Sequence, residues 1–213
     1  MKGVKLTERG KDVMVIGWSN LCLVRVLFSG GDITGADKII QKMENISREY
    51  HVPPWITNLI AAWQARIWLA QDMLDAASKW VGEHGLVTEG DLTVLHEVEY
   101  IVYARILIAH GQLDEATRLL QRLLEATETR GHTSRVIEIR MLQAFAYQAG
   151  GDTNRAITTL EQALTLAEPG GFIRIFVDEG PPMARVLYKA LSRGIAADYV
   201  QFILAAFSID DEE

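Results

Sequence analysis

Four ten-residue stretches decide the fold: GDITGADKII (Gly31–Ile40), QDMLDAASKW (Gln71–Trp80), GQLDEATRLL (Gly111–Leu120) and GDTNRAITTL (Gly151–Leu160). Aligned without gaps, they place Ala36, Ala76, Ala116 and Ala156 at equal spacings of 40 residues. Four residues after each alanine stand Ile40, Trp80, Leu120 and Leu160; nine before stand Leu27, Ile67, Leu107 and Tyr147. Both columns are wholly apolar. Five before each alanine stand Gly31, Gln71, Gly111 and Gly151. Self-similarity at a fixed period is the signature of a repeat architecture.

Each unit reads as two helices. In the third, a broad apolar stripe over Leu92–His110 predicts the first helix. Gly111 ends it, because glycine tolerates the left-handed conformation used at helix C-termini. A second helix from about Asp114 carries Ala116, Leu119, Leu120, Leu123 and Leu124 on one side. The small alanine lets helix two approach helix one closely, and the apolar residue four further on shares its face. The fourth unit repeats the pattern over Ser134–Ala167. The second begins at Pro53-Pro54-Trp55, where proline suits the first helical turn, and the first begins near Asp12. Gln71 makes the second turn the least typical. Ala104 or Ala144, Tyr147, a turn glycine and the helix-two alanine resemble the tetratricopeptide pattern. The reading is an all-α, right-handed α-solenoid of tetratricopeptide-like hairpins with a period of about 40 residues. Its four hairpins run over 12–50, 53–86, 92–131 and 134–167, after a lead-in at 1–11. Repeats stacked on their neighbours form an extended concave face suited to recognition.

Composition narrows the function. The 213 residues carry a formal charge of −7 and one cysteine, Cys22. A polyanion ligand needs clustered Lys and Arg, so direct nucleic-acid binding by this segment is disfavoured. A single cysteine rules out an internal disulfide, and in the string LCLV it reads as a buried small hydrophobe. No apolar run reaches the roughly 20 residues of a membrane span, and Met1–Lys11 lacks the apolar core of a signal peptide. A cytoplasmic protein is expected.

After Ala167 the repeat breaks. Glu168-Pro169-Gly170-Gly171 cannot continue a helix. Phe172–Val177 (FIRIFV) reads as an extended segment or a single helical turn, and Asp178–Pro182 as a turn. Two short helices, near Met183–Ser192 and Asp198–Phe207 with Asp198 as N-cap, read as a capping segment over 168–207. An acidic tail follows at 208–213. The string Glu168–Met183 (EPGGFIRIFVDEGPPM) resembles the signature that closes the helical-repeat region of MalT-like regulators, the ATP-dependent LuxR-type bacterial transcriptional activators. Val52-Pro53-Pro54-Trp55 with Ala65–Ala70, and Arg193–Val200 through Phe207, resemble the same family. The resemblance implies a signal-sensing region between an N-terminal NTPase module and a C-terminal helix-turn-helix. This sequence has no G-x-x-x-x-G-K-[ST] loop, so the resemblance places ATP only on a module outside it. No cofactor is expected here, and the chain is expected to be an isolated sensor region.

No catalytic constellation emerges, and the chain reads as a non-enzyme. His96 and Glu99 share a helix face, but a metal site needs more ligands. Asp178 reads as a turn or cap residue with Arg174 as its partner. Carrying the groove positions of tetratricopeptide-like arrays onto this frame gives Trp18, Arg25 and Phe28, then Asn58, Ala61, Ala65 and Trp68. Further along, it gives Ile101, Arg105, Ile108, Glu138, Met141, Phe145 and Gln148. Aromatics with a few polar groups suit a small-molecule or peptide groove. Arg25, Arg105 and Glu138 stand out, because an apolar helix face offers no reason to place charges there. The expected partner is a small-molecule inducer or a regulatory protein on the concave face, with self-association allowed and no membrane. The alternative is a stand-alone protein–protein interaction scaffold.

Overall fold

The computed structural model describes residues 13–50, 52–89, 92 and 96–209. The lead-in at 1–11 and the tail beyond 209 lie outside the described residues. All regular elements described are helical. They are α1 (Val13–Ser29), α2 (Ile33–Glu49), α3 (Pro54–Ala70), α4 (Leu74–Glu83), α5 (Glu97–Ala109), α6 (Leu113–Glu128), α7 (Thr133–Ala149) and α8 (Thr153–Ala167). A 3-10 turn (Glu168–Gly170), α9 (Arg174–Val177), α10 (Pro181–Ser192) and α11 (Ala197–Ile209) follow. Consecutive helices pair into hairpins of the α-solenoid class. FIRIFV contributes the single turn α9. The first helix of the third hairpin is described over Glu97–Ala109, and residues 93–95 of its expected start lie outside the described residues. No described helix is long and apolar enough to cross a membrane.

The helices group into two compact units. Unit one comprises residues up to 85 together with 93–102; unit two comprises 86–92 and 103 onward. Helix α5 therefore contributes its first half to one and its second half to the other. The core of unit one gathers Leu21, Val24, Ala36, Ile40, Met43, Ile56, Ile60 and Ile67. The larger core of unit two joins Ile137, Met141, Leu160 and Leu164 to Phe176, Met183, Leu187, Val200 and Ile203. Phe176 is fully enclosed; removing a side chain of that size from water contributes about 1.5–3 kcal/mol. The string EPGGFIRIFVDEG is thus a packing segment that seats α10 and α11.

The hairpin turns share one geometry, and it corrects the sequence register. Gly31, Gly111 and Gly151 adopt φ of 76°, 72° and 82°. In the second hairpin the left-handed residue is Asp72 (φ 58°) and not Gln71. The next amide in each turn reaches back five residues: Asp32 to Leu27 (2.9 Å), Met73 to Trp68 (2.8 Å), Gln112 to Leu107 (2.9 Å) and Asp152 to Tyr147 (2.9 Å). This is the Schellman arrangement, which satisfies helix-end carbonyls. The aligned alanines are therefore Ala36, Ala77, Ala116 and Ala156, all at 0% exposure, while Ala76 is half-buried. The spacings are 41, 39 and 40. Trp80 keeps its place in the core, because positions three and four residues on share a helix face. Asp32 and Asp152 also cap α2 and α8, accepting from the amides of Gly35 (2.8 Å) and Arg155 (3.0 Å).

Two local expectations fail for geometric reasons. Cys22 is exposed, because the buried stripe of α1 runs through Leu21 and Val24, and Cys22 falls off it. Helix α11 begins at Ala197, so Asp198 is its second residue and complements the helix dipole in place of capping it.

Asp72 holds a conformation that costs a non-glycine L-residue about 1–2 kcal/mol. Asp72→Gly should raise stability by up to about 1 kcal/mol once glycine's larger unfolded-state entropy is deducted. Gly111→Ala should lower it by about 1–2 kcal/mol, a purely conformational cost because an added Cβ meets nothing within 4 Å. Urea midpoints test both; a D72G midpoint at or below the parent's contradicts this register.

Candidate functional site

In unit one, the first helices carry aromatic side chains that remain half-open. Trp18 on α1 is 53% exposed, and its ring lies 5.8 Å from that of Trp55 on α3. Phe28 meets Trp63 edge-on at 5.7 Å. The Arg66 guanidinium stands 5.0 Å from the Phe28 ring and 5.1 Å from the Trp63 ring. Such cation–π contacts hold the cation over the ring faces. Arg25 is exposed on α1, Trp68 is half-buried beside the turn, and Ala65 is enclosed. Ala61 is half-buried and borders a cleft with Asn58.

Asn58 enters a polar contact the sequence did not reveal. Its Nδ2 donates to Glu99 Oε2 (3.2 Å), and His96 Nδ1 meets the same oxygen at 2.6 Å. Glu99 is buried, so these partners replace the water it gives up. The Asn58–Glu99 bond therefore ties α3 to α5. Among the described residues no group of three or more His, Cys, Asp or Glu could hold a metal ion.

In unit two, the charged groove candidates bind each other. Arg105 on α5 donates two bonds to Glu179, at 2.6 and 2.8 Å, and a third to Glu138 Oε1 on α7 at 3.1 Å. Arg135 donates to the other Glu138 oxygen at 2.7 Å. The planar guanidinium fork matches a carboxylate with two parallel bonds. Burial by itself opposes the Arg105 charge, but the pull of Glu179 and then Glu138, with their hydrogen bonds, raises its pKa further above the ordinary range. The charges of Arg105 and Glu138 are thus paired within the fold, a correction to their reading as groove charges. Met141 at 0% exposure and Ile101 at 1% are core residues, and no ligand reaches them. Phe145 packs against the same core, Gln148 accepts from Lys189 (3.1 Å), and Ile108 is half-buried. Arg174 Nε lies 3.2 Å from Asp178 Oδ1. The residue missed by sequence reasoning is Glu179: it meets Arg105 across 74 positions, and no local spacing marks it.

A second polar tie closes the end of unit two. Tyr199 on α11 donates its hydroxyl to the Phe172 carbonyl (2.9 Å). Burial, and secondarily the charge of Glu168, push the phenol above its ordinary value of 10.0.

Arg105→Ala removes the cation that bridges Glu179 and Glu138, leaving Glu138 only Arg135, and should cost about 3–5 kcal/mol. Arg105→Lys keeps the charge but loses the fork and should fall between the two. Denaturant unfolding of both variants decides; a neutral R105A contradicts the tie. For Tyr199 the folded-state value is raised, so the contribution of its neutral form is present below about pH 10 and is lost as pH rises through the folded value. Stability measured along an alkaline series should fall there, and Tyr199→Phe should be less stable at neutral pH with a flatter alkaline decline.

A family comparison agrees with the repeat architecture. A family model described as the MalT-like TPR region matches residues 1–193. The HTH-type transcriptional regulator MalT of Yersinia pestis (strain Pestoides F) is 30% identical over 175 residues, covering 79% of this chain and 19% of that protein. The protein of the same name from Vibrio campbellii is 24% identical over 173 residues, 78% of this chain and 18% of its own length. This chain thus spans about a fifth of the curated relatives it matches. Among solved structures, the TPR-like repeats of a Podosopora anserina kinesin light chain align over 92% of this chain and 96% of their own, at 19% identity and a TM-score of 0.49. By its match over residues 1–193, the chain belongs to the MalT-like TPR region family.

Proposed function

We propose that this chain is the signal-receiving repeat segment of a bacterial transcriptional regulator. It takes up an inducer or a regulatory protein on the half-open aromatic face of α1 and α3. In a longer protein it would pass the bound state to a DNA-binding module. The observation that carries the reading is the exposed Trp18 beside Trp55, next to the Phe28–Arg66–Trp63 arrangement. Keeping large aromatic surface in water is unfavourable, and contiguous patches of this kind mark interaction sites. Aromatic faces supply contact area at low entropic cost, and the polar neighbours fix orientation. Relatives named as transcriptional regulators support the regulatory setting. Signalling further requires that the ligand bind two conformations with different affinity.

Thermal unfolding of the purified chain against a panel of sugars and central metabolites tests the reading. A true ligand at about 100 times its Kd stabilises the folded chain by about 2.7 kcal/mol. The shift should vanish in Trp18→Ala, which is exposed and leaves the core intact. Variants of Arg105 or Glu138 are unsuitable because their loss acts on folding. If no metabolite shifts the transition and Trp18→Ala instead releases a bound protein, the scaffold reading replaces this one.

A further inference from the structure

Unit one contains a cleft of about 240 Å³ bordered by α2, α3 and the end of α4. Glu44, Ser47 and Arg48 border it from α2, Thr57 and Asn58 from α3, and His84 follows α4. Ile60 and Ala61 add apolar surface. The hydrogen bonds these groups already make determine what they can still offer.

The Ser47 hydroxyl donates to the Glu44 carbonyl (2.8 Å), and the Thr57 hydroxyl to the Pro54 carbonyl (2.8 Å). Each has one proton and has used it, so each retains only acceptor lone pairs. The Asn58 amide gives one of its two N–H donors to Glu99 (3.2 Å), keeps the other, and offers its carbonyl oxygen as an acceptor. His84 Nδ1 lies 3.0 Å from the Trp80 carbonyl. A carbonyl cannot donate, so Nδ1 carries the proton and Nε2 of the neutral ring accepts. The Glu44 carboxylate accepts only. Among the described residues lining the cleft the one cation is Arg48, which stands 3.7 Å from Glu44 and donates to Asn45 (3.5 Å), with its side chain 73% exposed. That contact is too long and too wet to neutralise the carboxylate strongly.

We infer that this acceptor-rich cleft binds a small alkyl ammonium ion, with its N–H donors on Glu44, Asn58 and His84 and its methylenes against Ile60 and Ala61. An ammonium group has three donors and no acceptor, the complement of the wall. An anion would meet Glu44 and unmatched lone pairs and would be rejected. The chain's formal charge of −7 draws cations toward it. Arg48 competes with the ligand for Glu44. None of the aromatic pairs takes part, so the inference stands apart from the signal-receiving reading.

Titration calorimetry of the full chain with diaminobutane, and with succinate as the anion of matching length, tests it at mildly alkaline pH and low salt. Saturable one-site binding of the diamine is expected, with none of succinate. Glu44→Gln should weaken the diamine about ten-fold or more, as loss of one charge-assisted contact does. Arg48→Ala should tighten it, because the competing cation is gone, and Trp18→Ala should leave it unchanged. Glu44 and Arg48 lie at the surface, and circular dichroism checks that both variants keep the parent's helicity. Absence of saturable diamine binding, equal binding of succinate, or weakening by Arg48→Ala overturns the inference.

Discussion

The hairpins depend on reversing the chain within three residues while still giving helix-end carbonyls a partner. One left-handed residue and one five-residue reach-back bond accomplish this at Gly31, Asp72, Gly111 and Gly151. The turn fixes where the second helix starts. The alanine four residues after each N-cap then sits at the closest approach, where a larger side chain would force the helices apart. Because the turn sets the start and the alanine sets the distance, the remaining apolar residues of the second helix fall into one narrow stripe. In α6 that stripe is Ala116, Leu119, Leu120, Leu123 and Leu124.

The first helices meet a different demand, since they are enclosed by neighbours on more than one side. Nine residues of α7 are buried, among them Glu138 and Gln143, so its polar groups need partners inside the protein. Arg105, Glu138 and Glu179 form such a set in unit two. Glu179 comes from the segment between α9 and α10, and its carboxylate fills the polar position the two helices leave. The groove positions that family resemblance assigns to α5 and α7 are thereby occupied by the chain itself. In unit one the corresponding face of α1 keeps Trp18 and Arg25 exposed, and the proposed ligand would sit there.

The sequence conveyed the hairpins because their periodicity is local: each apolar stripe and each turn glycine lies within one unit. It conveyed FIRIFV only as a choice between extended chain and one helical turn. The second turn was misregistered by one residue, since Asp72 takes a conformation usually marked by glycine and the gapless alignment pointed to Gln71. Cys22 was misplaced because an apolar neighbourhood in sequence does not say which way a helix faces. The Arg105 cluster was out of reach for another reason. Its carboxylates lie 33 and 74 residues away, and only the folded chain brings them together.

The chemistry of the α2–α3 cleft stands between these cases. Serine and threonine inside a helix donate to a carbonyl three or four residues back, and Ser47 and Thr57 do so. The helix itself thus converts each hydroxyl into an acceptor before any ligand arrives. Wherever such residues line a cleft between helices, donors must come from lysine, arginine or an unengaged amide. Here the amide of Asn58 is engaged by Glu99 and the imidazole N–H of His84 by the helix carbonyl of Trp80. Arg48 and the second N–H of Asn58 are left to supply donors, and Arg48 is drawn toward Glu44 and Asn45. The acceptor surplus is therefore a consequence of helical hydrogen bonding, and the ligand class follows from it.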